Sequence, residues 1–138
     1  MNAKFYMLFI VFLQSEFIYA FEKQYEKLQE IQISGISTEG AIGVLNKYYP
    51  TKGWSYCEMI INVYGESGQS NYLFKVRSNK LIDATIKTYF YEIPIYVNPD
   101  VSPVLKRKIT LNSHKKEVEK NYLFFSKKFN TKAIDKCY

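Results

Sequence analysis

The stretch Trp54-Ser-Tyr-Cys-Glu-Met-Ile-Ile-Asn-Val-Tyr64, the turn Gly65-Glu-Ser-Gly-Gln-Ser70 and the segment Asn71-Tyr-Leu-Phe-Lys-Val-Arg77 decide the fold class. Cys57, Met59, Ile61 and Val63 recur with a period of two, the spacing of a strand that turns one face to a core. Trp54, Tyr56, Ile60 and Tyr64 fall on the other face, which is also fairly apolar. In Asn71–Arg77, Tyr72, Phe74 and Val76 point one way and Lys75 and Arg77 the other, so this strand has one wet face. The Gly- and Ser-rich turn joins the two into a hairpin with a slightly long tip.

Downstream, Ser78-Asn79-Lys80 is a second turn. Leu81–Ile93 predicts a third strand with Ile82, Ala84, Ile86 and Phe90 on one side, and Pro94 ends it or marks an edge. Pro99 and Pro103 bracket a loop, and Val104–Leu111 predicts a fourth strand. Beyond Ser113, the residues Val118, Tyr122, Phe125 and Phe129 fit one face of a helix, while Tyr122–Phe125 also reads as a strand. Upstream, residues 22–32 are rich in helix formers, with Glu22/Glu26 and Lys23/Lys27 at i,i+4 spacing, and suggest a short helix or an ordered arm. Gly35, Gly40 and Gly43 follow. Thr38 is placed to cap a helix over Glu39–Tyr49 with Ile42, Leu45 and Tyr49 on one side, ended by Pro50 and Gly53. Together these elements predict an α+β domain, one helix packed on a four- to five-stranded antiparallel meander.

The N-terminus carries Lys4, an apolar run over Phe5–Leu13 and a small residue at Ala20. The run is shorter than the roughly 20 residues a helix needs to cross a bilayer. The pattern is that of a secretory signal peptide over residues 1–20, cleaved after Ala20. Residues 21–138 then form a single exported domain that ends in a basic region, 105–138. Export permits a disulfide, and Cys57 and Cys137 are the available pair. The alternative is a buried thiol at Cys57 and a loose one at Cys137. The chain has no Asn-x-Ser/Thr sequon.

Of the 138 residues, 47% are hydrophobic and 17% aromatic, which excludes a disordered chain. One His and two Cys exclude a structural zinc cluster. The single histidine, His114, sits in a basic stretch with no local orienting partner and reads as a solvated side chain rather than a base. Gly65-Glu-Ser67-Gly68 lacks the spacing of a nucleophile elbow, and Gly35…Gly40 lacks the Lys-Ser/Thr of a phosphate loop. The acids Glu58, Glu66, Asp83, Glu92 and Asp100 are dispersed. The expected function is therefore binding rather than catalysis, with no cofactor and no metal.

Charge is uneven. Residues 21–104 carry 8 basic and 9 acidic groups, whereas residues 105–138 carry 10 basic and 3 acidic. Lys106, Arg107, Lys108, Lys115, Lys116, Lys127 and Lys128 alternate with Tyr122, Phe124, Phe125 and Phe129. Such a patch suits an acidic glycan, an anionic membrane surface or nucleic acid, and export argues against nucleic acid. The alternative is a solvated face whose aromatics belong to the core.

The order signal peptide, helix, antiparallel meander resembles the cystatin superfamily. Ile61-Asn62-Val63-Tyr64-Gly65 keeps the Val and Gly of that family's Gln-x-Val-x-Gly hairpin but not its Gln. Asn71–Val76 resembles the strand that follows. Pro94-Ile95, whose proline lies 29 residues after Gly65, stands where a Pro-Trp loop is expected, and Ile109-Thr110-Leu111 resembles the start of the last strand. The likeness spans roughly residues 35–125, with a helix shorter than the family norm and two cysteines in place of the usual four. It implies a monomer that acts by occlusion. Gly35, Val63, Tyr64, Gly65, Pro94 and Ile95 would form a blunt wedge filling the cleft of a papain-like cysteine protease. The missing Gln and Trp anchors imply weak inhibition, a different protease, or no inhibition. The alternative function is a secreted effector whose basic C-terminal region contacts acidic glycans, membranes or proteins.

Overall fold

Alternation of side chains across a pleated sheet organises the protein from its first described residue to Thr110. The computed structural model of the chain describes residues 24–138, so the signal-peptide reading of residues 1–20 lies outside the described residues. Strands β1 (Gln24–Ile33), β2 (Ala41–Tyr49), β3 (Tyr56–Gly65), β4 (Gly68–Arg77), β5 (Lys80–Phe90) and β6 (Val104–Thr110) precede helices α1 (Lys115–Ser126) and α2 (Thr131–Asp135). The strands form one six-stranded antiparallel sheet in sequence order, each beside the next.

The register builds the core in rows. Ile31, Gly43, Ile61, Tyr72, Ile86 and Ile109 lie side by side across all six strands, and Leu45, Met59, Phe74 and Ala84 form the next row. Helix α1 covers this face. Its Val118 and Phe125 are buried, the Phe125 ring lies 4.8 Å from Tyr72, and Tyr122 lies 5.6 Å from Phe74. Phe129, just beyond α1, packs over Gly43, where an added Cβ would meet its ring at 2.9 Å. A disulfide joins Cys57 of β3 to Cys137 beyond α2, with 5.6 Å between the Cα atoms across 80 residues of sequence. The opposite face carries the row Val44, Ile60, Leu73, a hydrogen bond from Asn71 to Asn62 of 2.6 Å, and a run of rings at Tyr25, Tyr48 and Tyr56. Among the described residues no helix is long and apolar enough to cross a membrane.

This architecture corrects the α+β expectation of one helix on four to five strands. The segment expected to be the helix Glu39–Tyr49 forms strand β2 from Ala41 onward, and the described part of the helix-rich segment 22–32, from Gln24, lies in edge strand β1. The covering helix follows the sheet instead of preceding it. In β2 the inward positions are Ala41, Gly43 and Leu45, two of them too small to reveal the period of two. The hairpin tip is also tighter than expected, with Glu66 and Ser67 alone between β3 and β4. Ser78 and Asn79 both have positive φ, 47° and 67°, which matches the right-handed twist of the β4–β5 hairpin. Ile82, expected inside, falls at a register shift and is exposed, and Phe90 is also exposed.

Candidate functional site

Strand order alone groups three connections. In an antiparallel meander every second turn lies at the same end, so β1–β2, β3–β4 and β5–β6 share one end. These are residues 34–40, the tip Glu66-Ser67, and the proline-punctuated loop 91–103.

Backbone hydrogen bonds knit them together. The N–H of Tyr64 donates to the carbonyl of Gly40 at 3.0 Å. The Ser37 hydroxyl donates toward the Tyr64 carbonyl, with the Gly40 carbonyl also within reach at 3.0 Å. On the other side, Tyr91 N–H donates to the Ser67 carbonyl at 3.0 Å and Ile95 N–H to the Glu66 carbonyl at 3.2 Å. Pro94 starts a turn in which its carbonyl accepts from Val97 and Asn98, and Asn98 Oδ1 accepts from Asp100 N–H at 3.1 Å. Gly68 is required at the base of the tip, because a Cβ there would lie 2.2 Å from the Tyr89 carbonyl oxygen. The end presents apolar side chains to solvent, with Tyr96 71% and Val97 63% exposed, and with Ile93, Phe90 and Tyr64 also exposed. A recess of about 290 Å³ opens beside the tip, lined among others by Ser37, Val63, Gly65, Thr88, Phe90 and Lys106.

The structure therefore brings Val63, Tyr64 and Gly65 beside the loop of Gly35 and beside Pro94 and Ile95. Gly35 itself has φ of +77° and nothing within 4 Å of where a Cβ would stand, so its backbone conformation, not crowding, favours glycine. Ile93, Tyr96 and Val97 were not expected in the surface. Tyr96 and Val97 stand between Pro94 and Pro99 and Ile93 directly precedes Pro94, which marks a loop but does not tell a protruding side chain from a buried one.

The expected basic patch is divided. Arg107 binds Glu117 through two hydrogen bonds of 2.7 and 2.9 Å. This fork holds the Glu117 carboxyl below its ordinary range and raises Arg107 further. Lys115 lies 3.9 Å from Glu119. Lys106 and Lys108 are exposed on edge strand β6, where cations discourage edge pairing. Lys116 and Lys127 lie on the solvent side of α1 with Lys120, which the sequence patch omitted despite its i,i+4 spacing from Lys116. Lys128 stands over the Phe124 ring at 5.0 Å. Of the interleaved aromatics, Phe125 and Phe129 are buried and Tyr122 packs against the core, so those three are structural, while Phe124 is exposed. His114 Nδ1 lies 2.9 Å from Ser113 Oγ, which also bonds Thr110, an arrangement that closes the turn into α1. Among the described residues no group of three or more His, Cys, Asp or Glu is placed to hold a metal.

Comparison of the chain with protein-family models, curated proteins and solved structures finds no significant match.

Proposed function

We propose that the protein is an exported binding module that engages a protein partner through the loop end, without chemistry of its own. The Cys57–Cys137 bridge supports an oxidising destination. One observation carries the reading: loop 34–40 and loop 91–97 are each hydrogen-bonded to the β3–β4 hairpin between them. A surface held in shape by its own backbone loses little conformational entropy on docking. Its exposed Tyr96, Val97 and Ile93 supply apolar contact, with an aromatic residue as anchor.

The cleft of a papain-like cysteine protease is the partner class to test first. A narrow apolar groove suits a row of protruding tips, and occlusion needs no nucleophile or base. The proposal rests on the grouping of the tips and not on a cystatin architecture, which the six-stranded sheet replaces. Mature, disulfide-intact protein titrated into papain-like proteases should inhibit reversibly and in competition with substrate. Tyr96→Asp should weaken that inhibition at least about tenfold, the scale of an interface anchor. Full protease activity at micromolar concentrations of folded protein would remove this target.

A further inference from the structure

We infer that the solvent face of α1 is a docking surface for an anionic lipid bilayer. The face is separate from the loop end, so the inference goes beyond the proposed function and does not depend on it.

Helix α1 spends Val118, Tyr122 and Phe125 on the core. At about 100° per residue, Lys116, Lys120, Leu123 and Lys127 fall in one stripe on the opposite side. Those residues with Phe124 and Glu119 line a shallow surface groove. Leu123 is 57% and Phe124 47% exposed. An amphipathic helix with a partner on one side ordinarily turns polar residues outward. This one places two large apolar side chains on its outward half, flanked by lysines.

The charge on the face is net positive, with Glu119 its one acidic member against Lys116, Lys120 and Lys127. Glu119 has Lys115 at 3.9 Å, whereas Lys116, Lys120, Lys127 and Lys128 carry no acidic partner among the described ion pairs. Lys128 covers one side of the Phe124 ring at 5.0 Å. Long lysine stems let the ammonium groups reach a headgroup layer while Leu123 and Phe124 enter the acyl boundary. A free acidic polymer would satisfy the lysines but leave the two apolar side chains in water. A neutral bilayer would cover the apolar pair but leave the cations unmatched. An anionic bilayer complements both, and the attraction falls with salt because exposed charges are screened.

The test uses full-length mature protein with its disulfide intact, sedimented with vesicles of phosphatidylcholine alone or with one third phosphatidylserine. Binding to the anionic vesicles should be at least about tenfold tighter and should fade as salt rises. The pair Lys116→Glu and Lys127→Glu should abolish it, and Lys→Arg at the same positions should retain it. Leu123→Ser with Phe124→Ser should weaken binding to vesicles while leaving retention on heparin unchanged. All substituted side chains but Phe124 lie in the outward stripe, and circular dichroism verifies each fold. Equal binding to both vesicle types overturns the proposal, as does no binding to anionic vesicles. Full vesicle binding by the Leu123→Ser, Phe124→Ser protein also overturns it, since polyanion attraction alone would then suffice.

Discussion

Gly43 is where the inside of the protein is most finely fitted. It is the third residue of β2 and lies on the core face, and the space that its missing side chain leaves is taken by the Phe129 ring and by Ile61 and Ile31. A methyl group there would meet all three at 3.1 Å or less. Gly43→Ala should therefore cost about 1–3 kcal/mol through overpacking, read as a lower denaturant midpoint with an unchanged slope. Two neighbouring phenols set an alkaline limit. Burial pushes Tyr72 and Tyr122 above the ordinary phenol value of about 10. Below that value both states hold the proton and stability is constant. Above it the unfolded chain ionises first, so stability falls until the folded phenols ionise too. Tyr72→Phe and Tyr122→Phe should flatten this alkaline limb in thermal melts above pH 10, and an unchanged limb would assign the loss elsewhere.

Elements differ in how plainly they are written in the chain. Strands β3 and β4 were legible because Cys57, Met59, Ile61 and then Tyr72, Phe74, Val76 are large apolar residues at alternate positions. The face of α1 is legible through Val118, Tyr122 and Phe125, although Tyr122–Phe125 also reads as a strand. Strand β2 was hidden because Ala41 and Gly43 take the inward places and leave Ile42 and Leu45 at a helix-like spacing. Strand β1 was hidden for another reason. It lies at the sheet edge, and Glu26, Lys27 and Glu30, which make it look like a helix, protect an open edge from pairing with another chain. Helix α2 has only five residues and none of them is buried. It is too short to persist alone, so Cys137 and the packing of Phe129 hold it. Replacing Cys57 and Cys137 by Ala should cost about 4–5 kcal/mol in the chain-entropy account of a long closed loop. Amide exchange should then accelerate first in 131–137, ahead of β3.

On the scale of the molecule, the two proposed surfaces are built by different means and should separate under substitution. The loop end follows from strand parity. Tips that share an end in a six-strand meander also share it in a shorter one, so the Val63–Gly65 and Pro94-Ile95 tips that the family resemblance groups fall at one end here although the covering helix follows the sheet. The apolar surplus at Tyr96 and Val97 was not legible, because no local pattern distinguishes a protruding loop residue from a buried one. The basic patch was legible as composition but not as geometry. Nothing in the spacing of Arg107 and Glu117 announces a fork across the β6–α1 corner. Tyr96→Asp should impair partner binding and leave vesicle binding intact, while Lys116→Glu with Lys127→Glu should do the reverse. One sedimentation assay and one inhibition assay on the same three proteins decide this, and loss of both activities in either variant would mean that the two faces form one surface.

The neighbour-by-neighbour strand order has a consequence for synthesis. Each strand's partner is the one translated just before it, so the sheet can be extended vectorially, a hairpin at a time, as the polypeptide emerges. The cover arrives last. Until α1 and Phe129 have left the ribosome or the translocon, the rows around Ile61 and Phe74 have no roof, and the nascent chain presents a greasy panel to its surroundings. A holdase that recognises apolar sheet surface should therefore capture ribosome-stalled chains ending near Thr110 and release them once residue 130 is out.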